Sequence, residues 1–227
     1  MFARVSLRSV EFPGIFGNAD PANSMPTRIK LNEFSYKKGS EIFGEKEPAD
    51  YVYQVTSGAV RSYKLLSDGR RQIGAFHLVG DIFGLEIGTE HRFTAEAVVD
   101  TSVRLMKRRS LELVAESDVV VARSLLSMTA SNLRHAEDHM LLLGRKTSLE
   151  RVAAFLIEMD QRSAVAGILA LPMCRRDIAD YLGLTLETVS RALSRLHDLG
   201  TLGFIGNNQR QIVLLNREKL ASLDLQH

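Results

Sequence analysis

The 227-residue chain is 45% hydrophobic and 25% charged with a formal net charge of +2, long enough for one large or two modest packed domains. The near-balance of charge does not by itself mark a nucleic-acid partner, and no apolar run approaches the roughly 18 residues that span a bilayer. The single cysteine, Cys174, excludes an internal disulfide framework, a Cys-ligated iron–sulfur cluster and a Cys-rich zinc site, and the expected compartment is the cytoplasm.

Residues 1–27, "MFARVSLRSVEFPGIFGNADPANSMPT", lack a continuous apolar segment and a small-residue cleavage site, so they read as an arm rather than a signal peptide. Three of the five prolines (Pro13, Pro21, Pro26) fall there. From Ile29 to Met106 short β-branched and aromatic segments alternate with Gly39, Gly58, Asp68-Gly69, Gly80, Gly84 and Gly88. "YVYQVTSGAVRSYKLL", "SDGR" and "QIGAFHLV" read as strand, turn, strand, Asp-Gly hairpin, strand. Many short strands at this spacing predict a β jelly roll over residues 28–116.

The period then changes. Val119, Ala122, Leu126, Thr129, Leu133, Ala136, Met140 and Leu143 recur at alternating spacings of three and four, a seam with one polar interruption at Thr129. A long helix over residues 117–144 is expected, ending at Gly144. It can lie on the β domain or pair with a second copy of the chain, and the strict seven-residue period favours a homodimer.

In residues 145–227 Thr147-Ser148-Leu149-Glu150 offers a capping box, followed by a helix with Val152, Phe155, Leu156 and Met159 on one face. A short apolar strand stops at Pro172. Next comes "RRDIADYLGLTLETVSRALSRLHDLG", then a hairpin turning at Gly206-Asn207-Asn208. The order helix, strand, helix–turn–helix, hairpin describes a winged helix-turn-helix, and the whole chain is of the α+β class. This segment carries 11 basic and 9 acidic residues, against 18 and 18 in residues 1–144. Any DNA-binding reading must therefore rest on where the charges sit.

Within the motif, Ile178, Ala179 and Leu182 give the first helix an inward face, Gly183 supplies a sharp turn, and Leu184 closes the corner. Thr185 is a natural N-cap for the second helix, 185–197. At 100° per residue Val189, Leu193 and Leu196 share one face, and Glu187, Ser190, Arg191 and Ser194 the opposite one. Arg191 can pair with O6 and N7 of guanine, and Glu187 can accept from the N4 amino group of cytosine. One turn apart, the two can also hold each other.

"MCRRDIADYLGLTLETVSRALS" resembles the helix-turn-helix of the CRP/FNR superfamily, and "E-T-V-S-R" matches the E-x-x-S-R signature of its FNR and FixK branches. The resemblance covers nearly the whole chain: a β-roll like a cyclic-nucleotide-binding domain, a dimerisation helix and a winged helix. It implies a DNA-binding transcription regulator, not an enzyme. Glu187, Ser190 and Arg191 would then read a palindrome resembling TTGAT-N4-ATCAA, as a homodimer. RNA polymerase is the implied second partner, through the loop Arg162–Gly167 and turns of the β-roll, and low-oxygen respiration or nitrogen fixation the implied setting. Leu186 stands where the CRP branch has an arginine; it can meet a thymine methyl or serve the fold. Arg175, Arg176, Thr185, Ser194 and Arg210, with the turn at Asn207, are the expected phosphate contacts.

Cofactors are not expected. The Gly-Glu and Arg-Ser pairs of cyclic-AMP-binding relatives have no match in "GDIFGLEIGTEHRFTAEA", where Glu86 and Arg92 stand at the wrong spacing. A haem would rest on His77 alone. A cupin-like metalloenzyme, the rival from another class, needs several converging ligands, and only His77 and His91 lie in the β region. His135 and His139 ("HAEDH") lack the zincin order and are expected as exposed polar residues beside the seam. No Ser/His/Asp constellation or phosphate-cradling glycine loop occurs. An effector-gated regulator of the same fold is the second rival. Cys174 is expected to cap the first motif helix beside Arg175 and Arg176. There it is either a redox-sensitive thiol, favoured as thiolate by the helix dipole and opposed by Asp177, or an inert cap.

Overall fold

The computed structural model describes residues 32–162, 168–206 and 211–224. The expected arm, most of the Arg162–Gly167 loop and the hairpin turn with Asn207 and Arg210 lie outside the described residues. The chain divides into two compact units, with described residues 32–134 in one and 135–224 in the other.

The first unit contains β1 (Asn32–Tyr36), β2 (Glu41–Phe43), β3 (Tyr51–Ser57), β4 (Val60–Leu65), β5 (Arg71–His77), β6 (Ile82–Phe83), β7 (Thr94–Ala97) and β8 (Thr101–Lys107). They form two antiparallel four-stranded sheets, β1-β8-β3-β6 and β2-β7-β4-β5. Alternation along the strands fills the interior with Phe43, Tyr53, Val55, Val60, Phe83, Ala95 and Val103. The β4–β5 hairpin turns at Asp68-Gly69 as its sequence predicts. At Gly58 (φ +81°) a Cβ would lie 2.5 Å from the Asp100 carbonyl oxygen, so only glycine lets β3 pass into β4.

Helix α1 (Arg108–Ser117) follows β8 directly, where the sequence reading continued the β domain. Asp118 separates it from α2 (Val119–Arg145), its carboxylate accepting the Val120 and Val121 backbone N–H groups at 2.8 and 3.3 Å. So the long helix starts at 119 and runs through Gly144, not 117–144. It carries two stripes. Val121, Met128 and half-buried Leu125 pack on Val52, Ile82, Met106 and Leu111 of the first unit. The predicted seam lies on another side: Val119, Leu126, Leu133 and Met140 are 63%, 71%, 60% and 66% exposed. Thr129 and Ala136 are exposed with them, and Ala122 and Leu143 are half-buried. Among the described residues, no helix is long and apolar enough to cross a membrane.

The second unit takes the last turns of α2, then α3 (Ser148–Arg162), β9 (Ile168–Ala170), α4 (Arg175–Leu182), α5 (Leu186–Asp198), β10 (Leu202–Ile205), β11 (Gln211–Leu214) and α6 (Arg217–Asp224). The capping box forms: Thr147 N–H donates to Glu150 at 2.9 Å, and Glu150 N–H to Thr147 Oγ1 at 3.4 Å. The inward faces are those predicted, with Val152, Phe155, Leu156 and Met159 of α3 and Val189, Leu193 and Leu196 of α5 all buried. Strands β10, β11 and β9 make a three-stranded sheet, the wing. Helix α6 was not foreseen, although Asn216 caps it by accepting the Lys219 N–H at 2.8 Å.

Candidate nucleic-acid interface

Cys174 is the N-cap of α4, as the sequence predicted, and it stands exposed in extended backbone. Its thiol and its backbone N–H both donate to Asp177 Oδ2 at 3.1 Å. Asp177 is 3% exposed, so the carboxylate is a fixed, buried acceptor of the thiol proton. Helix α4 ends at Gly183 in the left-handed region (φ +62°), where the Leu184 N–H returns to the Ala179 carbonyl at 3.0 Å. Two residues later Thr185 caps α5, its Oγ1 accepting the Thr188 N–H at 3.2 Å and lying 2.9 Å from the Thr188 hydroxyl. This fixes the corner and the start of α5, on which Glu187 and Arg191 stand exposed.

Glu187, Arg191 and Ser194 are exposed and Leu186 and Ser190 half-buried. The Glu187 carboxyl is held below the usual carboxylate range by its own backbone N–H and the Thr185 side chain, and then by the charges of Arg176 and Arg191. The acceptor is thus ionised and held by hydrogen bonds at the start of its own helix rather than by an ion pair. The i, i+4 ion pair allowed by the sequence does not form: among the described residues neither Glu187 nor Arg191 makes a salt bridge. The bond that does form is Arg175 Nη1 to Ser190 Oγ, 3.2 Å, from the start of α4 to the middle of α5. One expected phosphate contact therefore steadies one expected base reader. Arg176 is exposed beside them.

The two histidines of α2 differ from expectation. His135 and His139 are not exposed polar residues but half-buried against α4. His139 stacks on Tyr181 at 4.2 Å. His135 Nε2 lies 3.3 Å from the Tyr181 hydroxyl, which also donates to Glu158 Oε2 at 3.3 Å. Arg162 in turn donates to Glu158 Oε1 at 3.2 Å. A tyrosine inside the apolar stripe of α4 had to find a partner for its hydroxyl, and this was the available signal. Burial, and next the neighbouring His135, push the His139 imidazole down to about 4. An unfolded histidine titrates near 6.5, so between the two values the unfolded chain binds more protons. The stabilisation is full above pH 6.5 and is lost as pH falls towards 4. After allowing for solvent around a half-buried ring, the cost between pH 7 and 5 is about 1 kcal/mol. Urea denaturation at the two pH values is expected to show that much less loss in His139→Phe than in the wild type.

The β-roll groups considered as sensors are each engaged in packing. Glu86 accepts the Arg92 side chain at 3.0 Å. His91, 2% exposed, stacks on Phe43 at 3.6 Å, and burial lowers its pKa against the pull of Glu86. His77 Nε2 lies 2.8 Å from Ser62 Oγ, with its ring on Phe83. Among the described residues no group of three or more His, Cys, Asp or Glu side chains is arranged to hold a metal ion.

Comparison with known proteins agrees with this architecture. Residues 33–122 match the cyclic nucleotide-binding domain model and residues 150–223 the Crp-like helix-turn-helix domain model. A β-roll, a long helix and a winged helix-turn-helix define a DNA-binding transcription regulator and not an enzyme. The chain is 42% identical over 189 residues to the nitrogen fixation regulation protein FixK of Rhizobium meliloti, covering 83% of this chain and 85% of that one. It is 45% identical over 194 residues to the FixK of Azorhizobium caulinodans, covering 83% and 77%. The solved structure of FixK2 from Bradyrhizobium japonicum superposes with a TM-score of 0.83 at 71% identity, over 86% of this chain and 98% of that one. The chain belongs to the CRP/FNR family of transcription regulators, in its FixK branch.

Proposed function

We propose that the protein is a homodimeric transcription activator that reads a palindrome resembling TTGAT-N4-ATCAA, with one α5 in each major groove. The observation that carries this reading is the outward face of α5, where Glu187 and Arg191 stand exposed within its first two turns. Arg191 pairs with guanine, Glu187 accepts from cytosine, Ser190 adds a hydroxyl and Leu186 meets a thymine methyl. Arg175, Arg176, Thr185, Ser194 and, beyond the described residues, Arg210 take phosphates. Residues 145–227 form the DNA-binding part and the α2 seam pairs the two copies, while the β-roll acts without cyclic nucleotide or iron–sulfur cluster. Its Glu86 is already neutralised by Arg92, which supports that independence. RNA polymerase is met through the 162–167 loop and turns of the β-roll, at genes of nitrogen fixation or low-oxygen respiration.

Cys174 tunes this activity. Oxidation to a sulfinic or sulfonic acid sets a permanent negative charge beside the DNA backbone and within reach of buried Asp177, opposing binding and distorting the α4 cap together. Fluorescence anisotropy at fixed salt on the palindrome and a scrambled duplex tests both claims. The untreated protein, with no added ligand, is expected to prefer the palindrome by about 10³-fold or more. Equal binding, or selectivity only with a cyclic nucleotide, would overturn the reading. Peroxide is expected to weaken the wild type and spare Cys174→Ser; equal loss in both would remove the switch.

A further inference from the structure

Two helix ends and the link between α2 and α3 converge on one side chain of the second unit. The Arg151 guanidinium donates from Nη2 to the Leu143 carbonyl, from Nε to the Lys146 carbonyl and from Nη1 to the Leu182 carbonyl, each at 2.9 Å. Leu143 lies in the last turn of α2, Lys146 in the link to α3, and Leu182 is the last residue of α4. The Leu143 and Leu182 carbonyls stand in last helical turns, at the negative end of the helix dipole, and a planar cation with a rigid fork suits both while its third donor holds the link at Lys146. The junction is close as well as charged. A Cβ at Gly183, the corner of the helix-turn-helix, would lie 3.6 Å from Leu143 Cδ2 and 3.7 Å from Arg151 Nη1. About one turn back along α2 from Leu143, the stack of His139 on Tyr181 ties the same pair of helices a second time.

We propose that Arg151 is a positioning residue for DNA recognition: it fixes the helix-turn-helix to the end of α2 and thereby sets the half-site spacing that a dimer accepts. This rests on the reading of α2 as the dimer helix. Through α2 the two-fold axis reaches Leu143, through Arg151 it reaches Leu182, and across the Gly183–Thr185 corner it reaches α5. Among the described residues Arg151 makes no hydrogen bond or ion pair with a base reader. Its loss therefore leaves each half-site read as before and loosens the register between the two.

The test uses the full-length protein on palindromes with spacers of three, four and five base pairs, and on four-spacer palindromes with one substituted base. Wild type is expected to favour one spacer strongly. Arg151→Met is expected to lose about tenfold of that preference, from weakened binding to the favoured spacer, while the factor lost on base substitution stays unchanged. A uniform loss on all three spacers, with the preference retained, would mean that Arg151 merely supports the fold and would overturn the proposal. So would a changed base preference. If Arg151→Met does not fold, Arg151→Lys is measured instead, because one ammonium nitrogen cannot stand in for the separate Nε, Nη1 and Nη2 that hold the three carbonyls; an undiminished spacer preference there overturns the proposal as well. A wild type that binds spaced palindromes no better than a single half-site would refute the dimer reading itself, and the inference with it.

Discussion

Replacing Arg191 by alanine is expected to cost about 1–3 kcal/mol per half-site, so about 2–6 kcal/mol for a palindrome bound by two copies. The loss is confined to specific sites, because Arg191 is assigned to a base rather than to phosphate. Affinity for scrambled duplex and the slope of affinity against salt should therefore change little. The fold itself should hold, since the side chain is exposed and makes no salt bridge among the described residues. The first two turns of α5 are anchored elsewhere, by the Thr185 cap and by Val189 in the core. Anisotropy across a set of single-base variants is the measurement. If Arg191→Ala discriminates among them as the wild type does, Arg191 is not a reader. The missing ion pair to Glu187 sharpens this expectation, because an arginine with no partner to break commits its fork to guanine at lower cost.

Much of this site is legible in sequence because its geometry is local. Thr185 caps whatever helix begins at residue 186, Gly183 turns wherever a Cβ is disfavoured, and the faces of α5 follow from 100° per residue. The alternating strands and the Asp68-Gly69 turn belong to the same class. What sequence does not give is either a weak local signal or a neighbour far along the chain. Gly144 reads as a terminator, but its site meets nothing within 4 Å and a conformation without positive φ lets α2 run one residue further. Helix α1 has ten residues with Leu111 as its only buried side chain, too short an apolar stripe to outweigh the β signal before it. His135 and His139 look solvent-facing until α4 brings Tyr181 across them. Ser190 looks free until Arg175, fifteen residues earlier, reaches it. The misses at the two histidines and at Ser190 are tertiary contacts that override a sound local reading.

The seam on α2 gives the other large effect. Leu126 and Leu133 are 71% and 60% exposed, whereas Val121 and Met128, on another side of the same helix, are 3% and 4% exposed. The two stripes make a clean separation of assembly from folding possible. In a paired helix each seam leucine faces its own symmetry mate, so Leu133→Glu removes two apolar contacts per dimer and sets two like charges together. Two leucines brought out of water account for about 3–6 kcal/mol of dimer stability, a rise of about 10² to 10⁴ in the dissociation constant. Analytical ultracentrifugation is expected to find Leu133→Glu monomeric at concentrations where the wild type is dimeric. Thermal unfolding measured on the monomer should keep a cooperative transition, because the substituted side chain contributes little to the core of its own chain. Affinity for the palindrome should drop towards that of a single half-site, since joining two readers multiplies their affinities through effective concentration and separating them forfeits that gain. The same charge at Met128 should instead unfold the β-roll packing, because that side chain lies on Val52 and Leu111. A dimer that survives Leu133→Glu would mean that the exposed stripe is a solvated face. The strict seven-residue period of Val119, Leu126, Leu133 and Met140 would then have to answer to something other than pairing.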